Sequence, residues 1–464
     1  MHDFDLLIVG SGPAGQHAAL HAAQMGKRVG IIERKSRIGG AGLQTGTIPS
    51  KALREVAYIA SQSGQRGMRE AFPAEAHHRH GLLAEAIRRK EAVIAQQESV
   101  ILNQLMRHGV ALIHGDASFK DERTLLVQEQ GGDERLLTAG IIILATGSRP
   151  RRPSHIPFDK QTVLDSTSVL KIRHLPHSMI VVGGGVIACE FISMFAALGV
   201  RITVIDSHEQ ILSWLSEDVA SALTDAMQAM GVSFVMQQSC QSVCKGDNGI
   251  TARLEDGSEL AADALLYAQG REPNTQYLAV GNAGIETDGQ WLPVNEYFQT
   301  SQPHIYAVGD LIGKPALAAT AMEQGRMAAM HAFGQDPPAL ARNMPMAIYT
   351  IPELSSVGAT ERELKEQGID YVVGRGYFRE SARGQIIGDM TGLLKLNVDR
   401  ASRHILGVHI VGESASELIH IGQLLMNLDG SVDDLVSNVF NYPTLAECYK
   451  LAATDCLNHL MPAD

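Results

Sequence analysis

Two parallel-sheet α/β units followed by an α+β segment are what this 464-residue sequence predicts. Three observations carry that expectation. An apolar strand runs into a glycine triplet close to the N-terminus, the same strand–turn–helix unit recurs at 178–206, and the pattern changes after Arg342 to alternating strands and helices. A chain of this length is too long for one hydrophobic core, so about three or four domains are expected.

Taken in order, Phe4 to Ile8 is apolar enough for a buried parallel strand. It enters "VGSGPAG", where Gly10, Gly12 and Gly15 have G-x-G-x-x-G spacing. The first glycine permits the tight turn, the second lets backbone approach a pyrophosphate, and the third lets the following helix pack on the strand. The next strand, "RVGIIE", ends in Glu33, where a carboxylate meets a ribose diol. A loop "GGAGLQTGTIPSKAL" at 39–53 then leads into a helix beginning near Thr47, and "IIILATGSRPRRP" closes the first domain at Thr146, Gly147 and Ser148. The unit repeats in "SMIVVGGGVIACEF", with Gly183, Gly185 and Ala188 in the three positions, and "RITVID" ends in Asp206. Two dinucleotides are therefore expected, each on a Rossmann-like domain. "HIYAVGD" brings Asp310 to a strand end, beside a polar cofactor chain. Beyond Arg342, "AIYTIPELSSVG", "GLLKLNVD" and "ILGVHIVG" read as strands, and 414–428 and 443–460 as helices, giving an α+β interface domain. The expected boundaries are 1–150 and 273–341 for the first domain in two parts, 151–272 for the second, and 342–464 for the interface.

A formal charge of -12 argues against nucleic-acid or anionic-membrane partners. The N-terminus has no basic region ahead of an apolar stretch, so neither a secretion signal nor a transit peptide is expected. The longest apolar passage, Met179 to Val200, is broken by glycines and Glu190, which disfavours a membrane span. Five cysteines, at 189, 240, 244, 448 and 456, suit a reducing, cytoplasmic setting better than a disulfide framework. Cys240 and Cys244 share a strand face, but no further ligands lie near, so packing is expected over metal binding. Cys448 and Cys456 are expected to flank a helix and pack. "HHRH" at 77–80 and "IRRK" at 87–90 read as a solvated helical face, and no metal is expected.

Together these residues resemble the flavoprotein (pyridine nucleotide) disulfide reductase family over essentially the whole chain. The resemblance implies FAD in the first domain and NAD(P) in the second. The family's Gly-x-x-Pro-Ser-Lys pattern is matched by Gly46, Pro49, Ser50 and Lys51, which puts Lys51 beside the flavin's reactive nitrogen and Asp310 at its ribityl or pyrophosphate region. The implied FAD set is Gly10, Gly12, Gly15, Glu33, Lys51, Gly115, Thr146, Gly147, Asp310 and Ala318. The implied NAD(P) set is Gly183, Gly185, Ile187, Glu190, Asp206 and Gly270, with Glu190 near the nicotinamide and paired to Lys51.

The chain departs from the family at two places. Where the family has its redox cysteine pair stand Gly42 and Thr47, and where it has a histidine before proline stands Tyr442, although the accompanying Glu447 remains. A phenol, with a reference pKa of about 10, is a poor proton shuttle near neutrality. The phrases "GTIPSKALR", "FNYPT", "YTIPELSSVG" and "LIHIGQ" resemble a branch that passes hydride between two nicotinamide nucleotides through the flavin, ping-pong, without a disulfide. The resemblance also implies a homodimer or larger homo-oligomer in which Tyr442 and Glu447 act across the interface. Asp206 pulls the other way, because a carboxylate there favours the ribose diol of NAD(H) and repels the 2′-phosphate of NADP(H). Two other readings stand beside hydride exchange: an NADH-dependent reductase with a quinone, dye, oxygen or protein acceptor, and a non-catalytic FAD/NAD-binding sensor or assembly protein.

Overall fold

The computed structural model describes residues 2–65, 76–129, 131–246, 249–313 and 315–460. They form two compact units, one from Met1–Ala52, Ile87–Arg152 and Gly270–Leu340, the other from Leu53–Ala86, Pro153–Gln269 and Ala341–Asp464.

The first unit is built on a parallel sheet. Phe4–Val9 pairs with Val29–Glu33 on one side and Glu134–Leu144 on the other, and Ala111–His114 and Ile305–Ala307 extend the parallel run. Thr124–Gln128 and Asp116–Phe119 continue it as an antiparallel edge. Leu6, Leu7, Ile8, Ile31 and Ile143 are fully buried, as expected of strands covered on both faces. The helices Pro13–Gln24 and Ala318–Ala332 cross so closely that a Cβ on Gly325 would lie 2.1 Å from the Ala14 carbonyl oxygen.

The second unit holds the other expected βαβ module. Ser178–Val182 lies between Arg201–Asp206 and Ala264–Tyr267 in a five-stranded parallel sheet. A three-stranded antiparallel meander, Cys240–Gly246, Gly249–Leu254 and Glu259–Ala262, packs below it. The C-terminal segment forms a five-stranded antiparallel sheet with Ala415–Asn427 and Glu447–Leu460 packed against it, the α+β layer foreseen from the sequence. The described residues of 53–86 group with this unit. The reason is local: Arg54 donates to the Thr350 carbonyl at 3.1 Å and pairs with Glu353 at 3.3 Å, while the Tyr58 hydroxyl donates to Glu413 at 2.6 Å. The side chains of 77–80 lie outside the described residues. Cys448 and Cys456 sit inside the helix Glu447–Leu460 rather than flanking it, and both are fully buried.

His409 lies in this core with no exposure; Ser356 Oγ is 2.7 Å from its Nδ1 and the Ala359 carbonyl 3.2 Å from its Nε2. Burial, reinforced by the Lys395 charge, pushes its imidazole down to about 4 from 6.5. As pH falls below 6.5 the unfolded chain takes a proton that the folded chain refuses until about 4. Stability is therefore lost across that window, by up to about 3 kcal/mol. The urea midpoint of the wild type is expected to fall between pH 6.5 and 4.5 by more than that of His409→Gln; equal slopes contradict the assignment.

Candidate functional site

Both glycine triplets are built as their spacing requires. In the first unit a Cβ on Gly10 would stand 2.4 Å from the Ala145 carbonyl oxygen, and one on Gly15 would stand 2.0 Å from that of Gly10. Gly12 is the N-cap of Pro13–Gln24 and Gly185 that of Val186–Ala197, and neither helix has a side-chain cap. A Cβ on Gly12 would meet nothing nearer than Gly40 Cα at 3.9 Å, and one on Gly185 nothing within 4 Å. Uncapped N–H groups facing open space at a helix N-terminus are what a pyrophosphate fits. The residues present therefore suit FAD in the first unit and a nicotinamide nucleotide in the second. Ala318 opens a third helix whose N-cap, Leu317, has no capping side chain.

The acids at the two strand ends are held alike. Glu33 Oε2 accepts from the Ser11 amide at 3.0 Å and hydroxyl at 2.6 Å, and its Oε1 accepts from the Lys35 amide at 2.9 Å. Asp206 Oδ2 accepts from the Gly184 amide at 2.5 Å, and its Oδ1 from the His208 amide at 2.8 Å, with the His208 Nδ1 at 2.6 Å. In each case the carboxylate ties the middle of the glycine turn to the strand end. Sequence reasoning passed over Ser11, whose buried hydroxyl also accepts from the Gly39 amide at 3.1 Å and so fixes the start of the 39–53 loop. The signal was a hydroxyl between the two glycines.

The remaining first-unit residues surround this turn. Gly115 donates its amide to the Glu33 carbonyl at 3.0 Å. Thr146 donates to the Asn274 carbonyl at 2.9 Å, and Gly147 adopts φ +65. The Asp310 carboxylate takes the Ser148 hydroxyl at 2.7 Å, and Arg271 donates to the same hydroxyl oxygen at 2.7 Å. Gly42 lies in the short helix Gly40–Gln44 and Thr47 opens Thr47–Gln65, with Lys51 one turn further on, its Nζ 3.5 Å from Ser50 Oγ. In the second unit Ile187 is half-buried in the first turn of its helix, and Glu190 is buried with Oε1 accepting from the Tyr349 amide at 3.0 Å. Gly270, with φ +89, falls in the first unit instead. Tyr442 is 73% exposed, and Glu447 Oε2 is buried without a hydrogen-bond partner among the described residues.

None of the five cysteines is paired. Burial pushes the Cys448 and Cys456 thiols up to about 12 and raises those of Cys189 and Cys240, so these sulfurs stay protonated. Cys240 and Cys244 share a strand, with an irregularity in its pairing between 240 and 242. No described helix is long and apolar enough to cross a membrane.

Residues 4–325 match the family model for pyridine nucleotide-disulphide oxidoreductase, and 344–453 match the dimerisation domain of the same family. The chain is 45% identical to the soluble pyridine nucleotide transhydrogenase of Mycobacterium tuberculosis, over 99% of this chain and 98% of that one. It is 40% identical to the protein of that name from Chromohalobacter salexigens, over 99% of both chains. Among solved structures it resembles LpdA from Mycobacterium tuberculosis, with TM-score 0.89 and 27% identity over 98% of this chain and 99% of that one. RclA, a HOCl-induced flavoprotein disulfide reductase from Escherichia coli, gives TM-score 0.87 and 26% identity over 97% and 99%.

Proposed function

The chain belongs to the pyridine nucleotide-disulphide oxidoreductase family, and from that premise we propose that it is an FAD-dependent soluble transhydrogenase. It exchanges hydride between NADPH/NADP and NAD/NADH by a ping-pong route. The observation that carries this reading is the pair Gly42 and Thr47 in the redox loop, which leaves the site without a thiol relay while both nucleotide turns are intact.

FAD supplies a centre that accepts hydride from one nicotinamide and returns it to another. On this reading 1–150 and 273–341 hold FAD, 151–272 hold the nicotinamide nucleotide, and 342–464 form the interface. The protein's own part is binding and alignment. The uncapped amides beyond Gly12 and Gly185 take the pyrophosphates, Glu33 and Asp206 face the riboses, and Gly115, Thr146, Gly147, Asp310 and Ala318 complete the FAD cradle. Ile187 and Gly270 belong to the NAD(P) set. Lys51 supplies a fixed positive charge beside the ring system, and Glu190 stands with the NAD(P) set. No residue is assigned as a general acid, since hydride exchange transfers no proton to a leaving thiolate.

The molecule is read as a homodimer. Leu424, Leu428, Val439 and Tyr442 are between 63% and 89% exposed on the C-terminal segment, an apolar surface that a second copy covers. Tyr442 and Glu447 then serve the partner's site. Five unpaired cysteines fit the cytoplasm.

Initial rates of thio-NAD reduction at several fixed NADPH concentrations test the reading. Parallel double-reciprocal lines are expected, whereas intersecting lines contradict a ping-pong exchange. Rapid turnover of NADH with a quinone or dye but none of NADPH with thio-NAD supports the NADH:acceptor reading, to which Asp206 points. A separate expectation concerns the loop. A Cβ on Gly42 would lie 3.1 Å from Pro13 Cγ, a contact that a small ring shift accommodates. Gly42→Cys should therefore fold, yet show no lipoamide or glutathione reduction, because Thr47 and Tyr442 still lack the required groups. Measurable reduction by that single variant contradicts the account.

A further inference from the structure

We propose that His208 is the residue that admits the 2′-phosphate of NADP(H), and that its pairing with Asp206 lets one pocket take both nicotinamide nucleotides. The inference rests on reading 178–206 as the nicotinamide nucleotide site.

The two fingerprints provide an internal comparison. Each strand-end acid receives three donors from the protein: the amide between the first two glycines, the amide two residues beyond the acid, and one side chain. At the FAD turn that side chain is Ser11, which has no solvent exposure and is neutral. At the second turn it is His208, whose side chain is 63% exposed while that of Asp206 is 8% exposed. The imidazole thus stands outside the carboxylate, on the solvent side of the strand end. A ligand group arriving there meets the ring before it meets the acid.

The chemistry differs accordingly. A bare carboxylate at this position accepts from a ribose diol and repels a 2′-phosphate, and arginines are the usual remedy. The residues that follow Asp206 are Ser207, His208, Glu209 and Gln210, with no arginine or lysine among them. An imidazolium has two N–H donors, so with Nδ1 on Asp206 Oδ1 its Nε2–H is left to donate to a phosphate oxygen. The exposed Ser207 hydroxyl is a further donor at the same strand end. When NAD(H) binds, the ring swings off and Asp206 Oδ1 takes the ribose hydroxyl. One hinged side chain thereby serves two ligands, where a fixed arginine pair would commit the site to one.

Calorimetric titration with 2′,5′-ADP and 5′-AMP, half-ligands that differ by the 2′-phosphate, tests this on the purified holoenzyme without any turnover. The wild type is expected to bind both, and His208→Gln to lower the 2′,5′-ADP to 5′-AMP affinity ratio by about tenfold or more, with His208→Arg raising it above wild type. An unchanged ratio in His208→Gln overturns the proposal, as does a wild type that binds 5′-AMP but not 2′,5′-ADP. Failure of the transhydrogenase reading shows separately: the half-ligands bind as expected, but NADPH hands no hydride to thio-NAD.

Discussion

Gly12→Ala is expected to leave a folded protein that no longer holds FAD. A Cβ at this position would have 3.9 Å to its nearest neighbour, so the fold itself presents no obstacle. The methyl group instead occupies the space through which a pyrophosphate must approach the uncapped amides of Pro13–Gln24. Gly15→Ala should reach the same colourless state by another route. Its Cβ would lie 2.0 Å from the Gly10 carbonyl oxygen and 3.2 Å from Ile8 Cγ2, so the helix has to move off the strand. Overpacking of this kind costs about 1–3 kcal/mol. The second unit supplies the contrast, for Ala188 occupies the equivalent position there and is buried without exposure. The visible absorbance per chain and the melting temperature separate the two cases. Gly12→Ala should retain under about a tenth of the flavin, with a melting temperature close to that of wild-type apoprotein, whereas Gly15→Ala should lose both. Full flavin content in Gly12→Ala contradicts the placement of the pyrophosphate.

Lys395→Met should be among the most destabilising single changes in the second unit. The ammonium group has 1% exposure and lies 2.7 Å from Asp218 and 2.6 Å from Glu361, so one cation serves two carboxylates on separate helices. Burial raises the Asp218 carboxyl, but the hydrogen bond and charge of Lys395, with Arg375 at 3.2 Å, outweigh it and hold it below its ordinary value. Removing the lysine leaves two half-buried carboxylates with Arg375 at 3.2 Å from Asp218 and 3.9 Å from Glu361. Breaking a buried pair from one side costs about 3–5 kcal/mol, whereas removing the charges together is far cheaper. Lys395→Met should lower urea stability by that amount, and adding Asp218→Asn and Glu361→Gln should recover a substantial part. A loss under about 1 kcal/mol contradicts the assignment. Because the Asp218 value is depressed, its contribution is present above its unfolded value and fades as pH falls through the lower, folded one.

The parts of this molecule legible in the sequence are those where backbone geometry restricts residue type. Gly10, Gly15 and Gly183 have no room for a side chain, so strand, triplet, helix and acid stand out in register. The alternation in "GLLKLNVD" likewise gave a strand, but the pattern could not tell that Lys395 points inward. Its carboxylate partners lie 177 and 34 residues away in the chain. Of the meander at 240–262 the sequence analysis read only the strand carrying Cys240 and Cys244, although Ile250, Ala252 and Leu254 alternate inward on the next one. The burial of Cys448 and Cys456 within one helix, rather than at its ends, follows from their eight-residue spacing along one face. In the candidate site, the roles of Ser11 at Glu33 and His208 at Asp206 depend on which side chain turns toward the acid, a choice made by rotamer and solvent that spacing does not encode.

The most direct test of hydride exchange without a disulfide is a pair of anaerobic half-reactions on the purified flavoprotein. NADPH is added first and the flavin absorbance followed; excess nucleotide is removed, and thio-NAD is then added while its reduced product is recorded. Bleaching by NADPH followed by one equivalent of reduced thio-NAD per flavin, with the yellow colour restored, is the predicted result. Flavin that NADPH leaves oxidised, or that is bleached but gives nothing to thio-NAD, contradicts it.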